Sequence, residues 1–253
     1  MSVSAGPEGA APYVEVSSVV GRRERRRRPL LDSVSVRFED ARPVRPFRWP
    51  PGGRYFPGWY WAATTRQHAQ RFGTDNRWWA RGMAVRARCY DREVRAFLAR
   101  HPRGAVVCLG EGLETQFWRV DNGTVQWLGV ELADSAALRR RLLPDTDRRR
   151  TLTGSLLDER WMREVDASDG VLVLAQGVLM YVAWDRVRAL VEACTARFPG
   201  AGLVFDTPPA WFAAGTVRGR FRYPAGYRPP PMPWGMTPAR LRELRACPGV
   251  ATA

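Results

Sequence analysis

The feature that most constrains this chain is GVLVLAQG at 170–177, where Val171 to Ala175 form an unbroken apolar run between Gly170 and Gln176-Gly177. A run this short, apolar on both faces, fits a strand covered on both sides, as in a parallel sheet. AVVCLG (105–110), VQWLGVEL (125–132) and AGLVFDT (201–207) repeat the pattern, and RTLTGS (150–155) repeats it more weakly. Stretches of helical period lie between them. In RWWARGMAVRARCYDREVRAFLARHP, Val94, Phe97 and Leu98 share a face, and the helix ends near Pro102. Over 184–198, Val187, Leu190, Val191 and Cys194 fall at i, i+3, i+4, i+7, with Gly200 as terminator. EGLETQFWRV reads as a turn and short helix. DSAALRRRLL reads as a helix capped by Asp134 or Ser135, and TPARLRELRA (237–246) as a last helix.

Strand and helix in alternation predict an α/β fold, a doubly wound and mostly parallel sheet with helices on both faces. Ligands of such sheets bind beyond the carboxyl ends of the strands. Four places qualify: the loop after Leu109, the strand end at Glu131, the segment Ser155–Leu157 and the loop after Ala175.

The division into domains follows composition. Residues 1–60 hold Pro43, Pro46, Pro50, Pro51, Pro57 and the run GRRERRRRP (21–29), with little periodicity. They read as an Arg/Pro-rich extension, partly disordered, ahead of a ligand-binding domain at 61–253. The aromatic stretch FPGWYW (56–61) either packs on the core or covers a pocket. No apolar run approaches the ~20 residues of a membrane span, and the N-terminus has no apolar signal core, so a cytoplasmic location without a membrane partner is expected.

Charge and residue type exclude several chemistries. All 40 basic residues are arginine against 25 acids, a net charge of +15. Without lysine there is no P-loop, no kinase phosphate-pairing lysine and no Schiff base to pyridoxal phosphate. Residues 1–60 carry 11 Arg against 6 acids, so the excess charge is not confined to one arm. Arginine in place of every lysine points to compositional bias, and the clusters at 21–29 and 139–150 read as solvated charge. A nucleic-acid partner is not expected, and polyanion binding is a side reading. Cys89, Cys108, Cys194 and Cys247 lack knuckle or CxxC spacing and read as buried thiols. There is no HExxH and no ligand cluster, so no metal site is expected.

The chemistry concentrates in LGEGLET. Gly110 and Gly112 allow a tight turn from strand to helix and close approach of a ligand to bare backbone. Glu131 lies 19 residues beyond Gly112, at the end of the next strand, where a carboxylate can accept both hydroxyls of a ribose. This is a nucleoside-cofactor arrangement. A dinucleotide would want a third glycine where Thr115 stands, and its pyrophosphate would meet Glu111 and Glu114.

VVCLGEGLETQFWRVDNG, WLGVELADSAALRRRLLPDT, SLLDERWM, VLVLAQGVLMYV and ARFPGAGLVFDT resemble, in order and spacing, the leucine carboxyl methyltransferase-like family of class I S-adenosylmethionine-dependent methyltransferases, which includes polyketide O-methyltransferases. The resemblance covers about residues 76–246. It implies S-adenosyl-L-methionine as cofactor, gripped at its carboxylate by Arg86, with Gly110 and Gly112 in the cofactor loop and Glu131 on the ribose. Leu156 and Leu157 match the segment beside the adenine, Gln176 matches a position after the fourth strand that is usually Glu, and Tyr181 matches a tyrosine of the same motif. The first 60 residues do not show the family's N-terminal helices. The sequence stops at PGVATA, which implies a sheet short of its final strand pair by up to two strands.

The activity implied is O-methylation of a small-molecule carboxylate or hydroxyl, of the kind used in secondary metabolism. A carboxylate acceptor needs no general base, whereas a hydroxyl does, and Tyr181, Asp206 and His68 are the groups on offer. Asp206 reads equally as a turn acid. Trp211, Phe212 and Tyr223 either line an apolar acceptor pocket, with Tyr181 beside it, or simply pack. The alternative is a non-catalytic methyltransferase-fold protein that binds a partner or polyanion, and a nicotinamide enzyme stands third.

Overall fold

A computed structural model of the protein describes residues 14–17, 77–221 and 229–251. The Arg run at 21–29, the aromatic stretch at 56–61, His68, Tyr223 and the division at residue 60 lie outside the described residues. The elements are β1 (Val14–Ser17), α1 (Arg77–Arg100), β2 (Ala105–Leu109), α2 (Gln116–Val120), β3 (Gln126–Glu131), α3 (Ala133–Leu142), β4 (Arg149–Thr153), β5 (Val171–Ala175), α4 (Trp184–Arg197), β6 (Gly202–Phe205), α5 (Ala210–Val217), α6 (Pro238–Arg245) and β7 (Val250–Ala251). Two short 3₁₀ helices, Glu159–Glu164 and Leu179–Tyr181, flank β5 in sequence.

The strands form one sheet in the order β4-β3-β2-β5-β6-β1-β7, and every pairing is parallel. The predicted α/β fold is therefore present. From β2 the chain winds outward through β3 and β4, then returns to place β5 on the other side of β2. The loops after β2 and β5 thus diverge, and a crevice opens between them. Where the expected sheet ends, at β6, it continues with β1 from the region read as irregular and with the two-residue β7.

Alternation along the strands divides the core in two. On one face Ala105, Val107 and Leu109 pack with Val187, Leu190, Val191 and Cys194 of α4 and with Trp161 and Trp234. On the other, Val106 and Cys108 pack with Val94, Phe97 and Leu98 of α1 and with Phe117 and Trp127. Both helical faces anticipated from spacing are the faces that are buried. Each such aliphatic side chain stabilises the fold by about 1.5–3 kcal/mol. All four cysteines are free and buried.

Two local expectations are corrected. Helix α3 begins at Ala133 with Leu132 at its cap position and no side-chain cap, so neither Asp134 nor Ser135 caps it. Glu131 ends β3 immediately before, and the strand runs almost directly into the helix. The arginines of 139–150 are not uniformly solvated either: Arg139 and Arg149 are 0% and 1% exposed. Arg149 donates to the carbonyls of Leu143 and Pro144 and lies over the Trp118 ring at 4.8 Å. The helix Ala210–Val217 was not anticipated.

Candidate functional site

The crevice is built around the turn after β2. The Gly110 N–H donates to the Val130 carbonyl at 2.9 Å, which carries the parallel ladder into the turn. Gly110 and Gly112 have φ of +66° and +57°, a region open to glycine at little cost. A Cβ on Gly110 would also lie 2.9 Å from Cγ2 of Val178, because the loop after β5 closes against it. A Cβ on Gly112 would meet nothing within 4 Å, so this face of the turn is open to a ligand. Glu131 is buried, and its carboxylate accepts the Gly112 N–H. Burial pushes its pKa up, against that hydrogen bond and the charge of Arg139. The glycine turn and the acid at the end of the next strand are thus in direct contact.

Arg86 reaches the same crevice from α1. Its Nη1 lies 3.3 Å from Oδ2 of Asp206, the residue that follows β6. The other oxygen of Asp206 accepts the Tyr90 hydroxyl at 3.1 Å and the Gly177 N–H at 2.5 Å. Gly177 has φ +69°, and a Cβ there would lie 2.9 Å from Arg86 Nη1. A glycine at 177 is what lets the guanidinium lie against the loop after β5. Burial, followed by the charge of Asp206, pushes the Tyr90 phenol well above its usual range, so it remains a donor.

Beside Arg86 is a cavity of about 80 Å³ bordered by Glu114, Gln116 and Gln176. Four buried polar atoms on residues that line it have no hydrogen-bond partner: Nε of Arg86, Nε2 of Gln116, Oε1 of Gln176 and Oε2 of Glu111. Buried polar groups are rarely left unpaired. Two donors and two acceptors around one small cavity match a zwitterion, with a carboxylate toward the donors and an ammonium toward the acceptors. The cofactor implied by the family resemblance carries that group, and these residues fit it. Arg119 stiffens the wall: its guanidinium pairs with both oxygens of Asp91 at 2.8 and 3.0 Å and with Glu114 at 2.6 Å. Burial acts to raise the Glu114 pKa, but the Arg119 charge and hydrogen bond outweigh it and hold it low.

Farther along the sheet edge, Leu156 packs against the core and Leu157 is partly exposed beyond β4, whose end pairs with Glu131. The Gly154 N–H donates to the Glu131 carbonyl at 2.8 Å, which fixes this segment beside the acid. On the opposite flank, Tyr181 is half exposed at the end of its 3₁₀ turn. Trp211, on α5, is 50% exposed with its ring edge-on to Phe212. Met180 and Phe212, their chain neighbours, share one small apolar cluster with Met232.

The sequence pattern that defines the leucine carboxyl methyltransferase family matches residues 44–195. The chain belongs to that family. It is 31% identical over 130 residues to the tetracenomycin polyketide synthesis O-methyltransferase TcmP of Streptomyces glaucescens, an alignment of 51% of this chain and 48% of TcmP. The aligned part spans about half the length of this curated relative. Among solved structures, the plantazolicin methyltransferase BamL is 10% identical with a TM-score of 0.47, over 63% of this chain and 60% of that one. An O-methyltransferase family protein from Burkholderia thailandensis is 18% identical with a TM-score of 0.41, over 63% and 50%.

Within this family member the structure gathers Arg86, Gly110, Gly112, Glu131 and Gln176 around one crevice and sets Leu156 and Leu157 beside it. Asp206 lies within the wall, engaged by Arg86, Tyr90 and Gly177. Three residues escaped the sequence reading: Gln116, Tyr90 and Leu132. Tyr90 lies one helical turn beyond Arg86, a spacing that could have linked them. Leu132, an apolar residue 66% exposed next to Glu131, has no sequence signal apart from that adjacency. Gln116 is a helix residue like many others until its burial is seen.

Proposed function

We propose that the chain is an S-adenosylmethionine-dependent O-methyltransferase acting on a small-molecule carboxylate or hydroxyl. The observation that carries this reading is the set of unpartnered buried atoms on Arg86, Gln116 and Gln176 beside a glycine turn whose next-strand acid is Glu131. Arg86, held by Asp206, receives a carboxylate in this reading. Gln116 adds a donor, and Gln176 accepts from an ammonium. Glu131 has acceptor capacity beyond the Gly112 N–H, since a carboxylate offers about four lone-pair sites, and it takes the ribose hydroxyls. Leu132, Leu156 and Leu157 offer apolar surface to the adenine.

When bound, the sulfonium supplies an already activated methyl group. The work left to the chain is to orient the acceptor in line with it and to exclude water. Tyr181 and Trp211 are the surface proposed to orient the acceptor, with the buried Phe212 backing Trp211. Asp206 is proposed as a positioning residue for Arg86, because three donors already occupy its oxygens. A carboxylate acceptor fits a site of this kind best, since it needs no proton removed.

Titration calorimetry with S-adenosylmethionine and S-adenosylhomocysteine tests the reading. Micromolar binding of both, and methyl transfer to aromatic carboxylic acids or phenols, is expected. A folded, monodisperse sample that binds neither compound would overturn it.

A further inference from the structure

Beneath the glycine turn lies an ion pair that the proposed chemistry does not use. Arg139 projects from the last turn of α3 and is completely buried. Its Nη2 lies 2.7 Å from Oε1 of Glu111, whose side chain is buried too. Its Nη1 donates to the Gly112 carbonyl at 2.5 Å and to the Glu114 carbonyl at 3.0 Å. The Trp127 indole, from β3, donates to Oε1 of Glu111 at 3.0 Å. Gly129, in the middle of β3, makes the room: a Cβ there would lie 2.6 Å from Oε2 of Glu111. A glycine inside a strand weakens it, and close approach of another group explains its presence.

We propose that Arg139 and Glu111 are positioning residues that hold the 110–114 turn in the shape that receives the cofactor. The inference rests on the reading of this crevice as a cofactor site. One guanidinium binds two carbonyls of the turn and the side chain between its two glycines, so the turn cannot change shape without breaking a buried charge pair. The backbone N–H that meets Glu131 belongs to Gly112, the residue whose carbonyl Arg139 holds. Position is thereby passed from α3 to the acid that faces the ligand.

Protonation of Glu111 weakens this clamp. Burial pushes its carboxyl up to about 7, against the charges of Arg139 and Arg149 and the Trp127 hydrogen bond, and Glu131 adds to the rise. The charged and titratable groups that act on it are Arg139 on α3, Arg149 on β4, Glu131 on β3 and Cys108 on β2, and Glu114 borders the same cavity. Cofactor affinity should therefore fall as pH drops through neutrality.

The test measures binding of S-adenosylhomocysteine to wild type, Glu111→Gln, Arg139→Lys and Arg139→Met between about pH 6 and 8, with hydrogen exchange of the turn amides in the ligand-free proteins. Glu111→Gln preserves shape and carries the test if Arg139→Met does not fold. Expected are an affinity loss of about tenfold for Glu111→Gln at the upper pH and partial rescue in Arg139→Lys relative to Arg139→Met. A wild-type affinity that falls toward low pH, a flat profile in Glu111→Gln, and faster exchange of the turn with unchanged exchange of β5 are expected too. Wild type that binds, with Glu111→Gln equal to it at every pH and equally protected in the turn, overturns the positioning role alone. Wild type that does not bind overturns the reading of the site, and this inference with it.

Discussion

Asp206 stands between Arg86 and Tyr90, with one carboxylate oxygen 3.3 Å from the guanidinium and the other 3.1 Å from the phenol. An acid at the end of a strand beside the proposed cofactor crevice invites a catalytic role, and this arrangement argues for a supporting one. Asp206→Asn removes the charge that fixes Arg86 while keeping the shape. The affinity for S-adenosylhomocysteine should drop about tenfold, the worth of one charge-assisted contact. Turnover at saturating cofactor should change little. A general base would behave the other way, with kcat falling by about two orders of magnitude or more at unchanged cofactor affinity. Calorimetry beside steady-state kinetics separates the two.

Arg86→Ala should weaken S-adenosylmethionine about 10- to 100-fold, because the lost contact is a charge-assisted pair. The same substitution leaves Asp206 buried without its cation. A fall in melting temperature is therefore expected as well, and thermal denaturation with and without ligand shows both effects. Unchanged affinity in calorimetry would remove Arg86 from the site.

The two glycines of the turn should respond differently to alanine. At Gly110 the new methyl meets Val178 at 2.9 Å, and the backbone is left-handed. Gly110→Ala should lose both stability and cofactor binding. At Gly112 there is only the positive φ, worth about 1–2 kcal/mol, and open space where the methyl would go. Gly112→Ala should fold with a modest loss of stability, yet bind S-adenosylhomocysteine much more weakly, because the methyl occupies the ligand's place. Equal losses of stability in urea titrations of the two variants would contradict this assignment of space.

Glu111 also leaves a mark on stability against pH. Its folded pKa is raised to about 7 from 4.5. Between those values the folded protein holds a proton that the unfolded chain has released. Its contribution is thus fully present below the unfolded pKa and lost as pH rises through the folded one. Glutamine does not ionise, so the stability of wild type relative to Glu111→Gln should fall as pH rises from about 5 to 8. Urea unfolding of both proteins across that range gives the difference directly, and a constant difference would mean that Glu111 titrates normally.

The sheet and its order of contents were legible because they depend on local apolar runs. Val171–Ala175 needs only its own composition to be a covered strand, and Val94, Phe97 and Leu98 need only their spacing to mark a buried face. The Gly112–Glu131 contact was legible for a similar reason, since both residues sit at strand ends whose relative place the winding of the sheet dictates. Arg139 was not. In sequence it is one arginine in a run, indistinguishable from Arg140 and Arg141, and only the packing of α3 selects it for burial. The one local hint was Gly129, a glycine inside a strand that no turn requires. Helix α5 was hidden differently: AWFAAGTV is apolar nearly all round, so it shows no helical period, and it follows two prolines. The strand Val14–Ser17 carries only two alternating valines as its signal, and its place beside β6 is set by the edge it joins.

The exposed rings on the other flank give the last prediction. Trp211 is 50% exposed and rests edge-on against Phe212 and Phe221, at 5.8 and 6.5 Å between centroids. A large aromatic so exposed contributes little to folding, and its surface is available to a flat apolar acceptor. Trp211→Ala should leave S-adenosylhomocysteine affinity and melting temperature near wild type while raising the acceptor KM about tenfold, the worth of one aromatic contact surface. Tyr181→Phe separates shape from chemistry on the same flank. It keeps the ring and removes the hydroxyl, so a carboxylate acceptor should be methylated normally. A phenol acceptor that relies on Tyr181 for proton removal should lose kcat. Kinetics of both variants with a matched carboxylate and phenol pair decide between these roles, and a Trp211→Ala protein with unchanged acceptor KM would place the acceptor elsewhere.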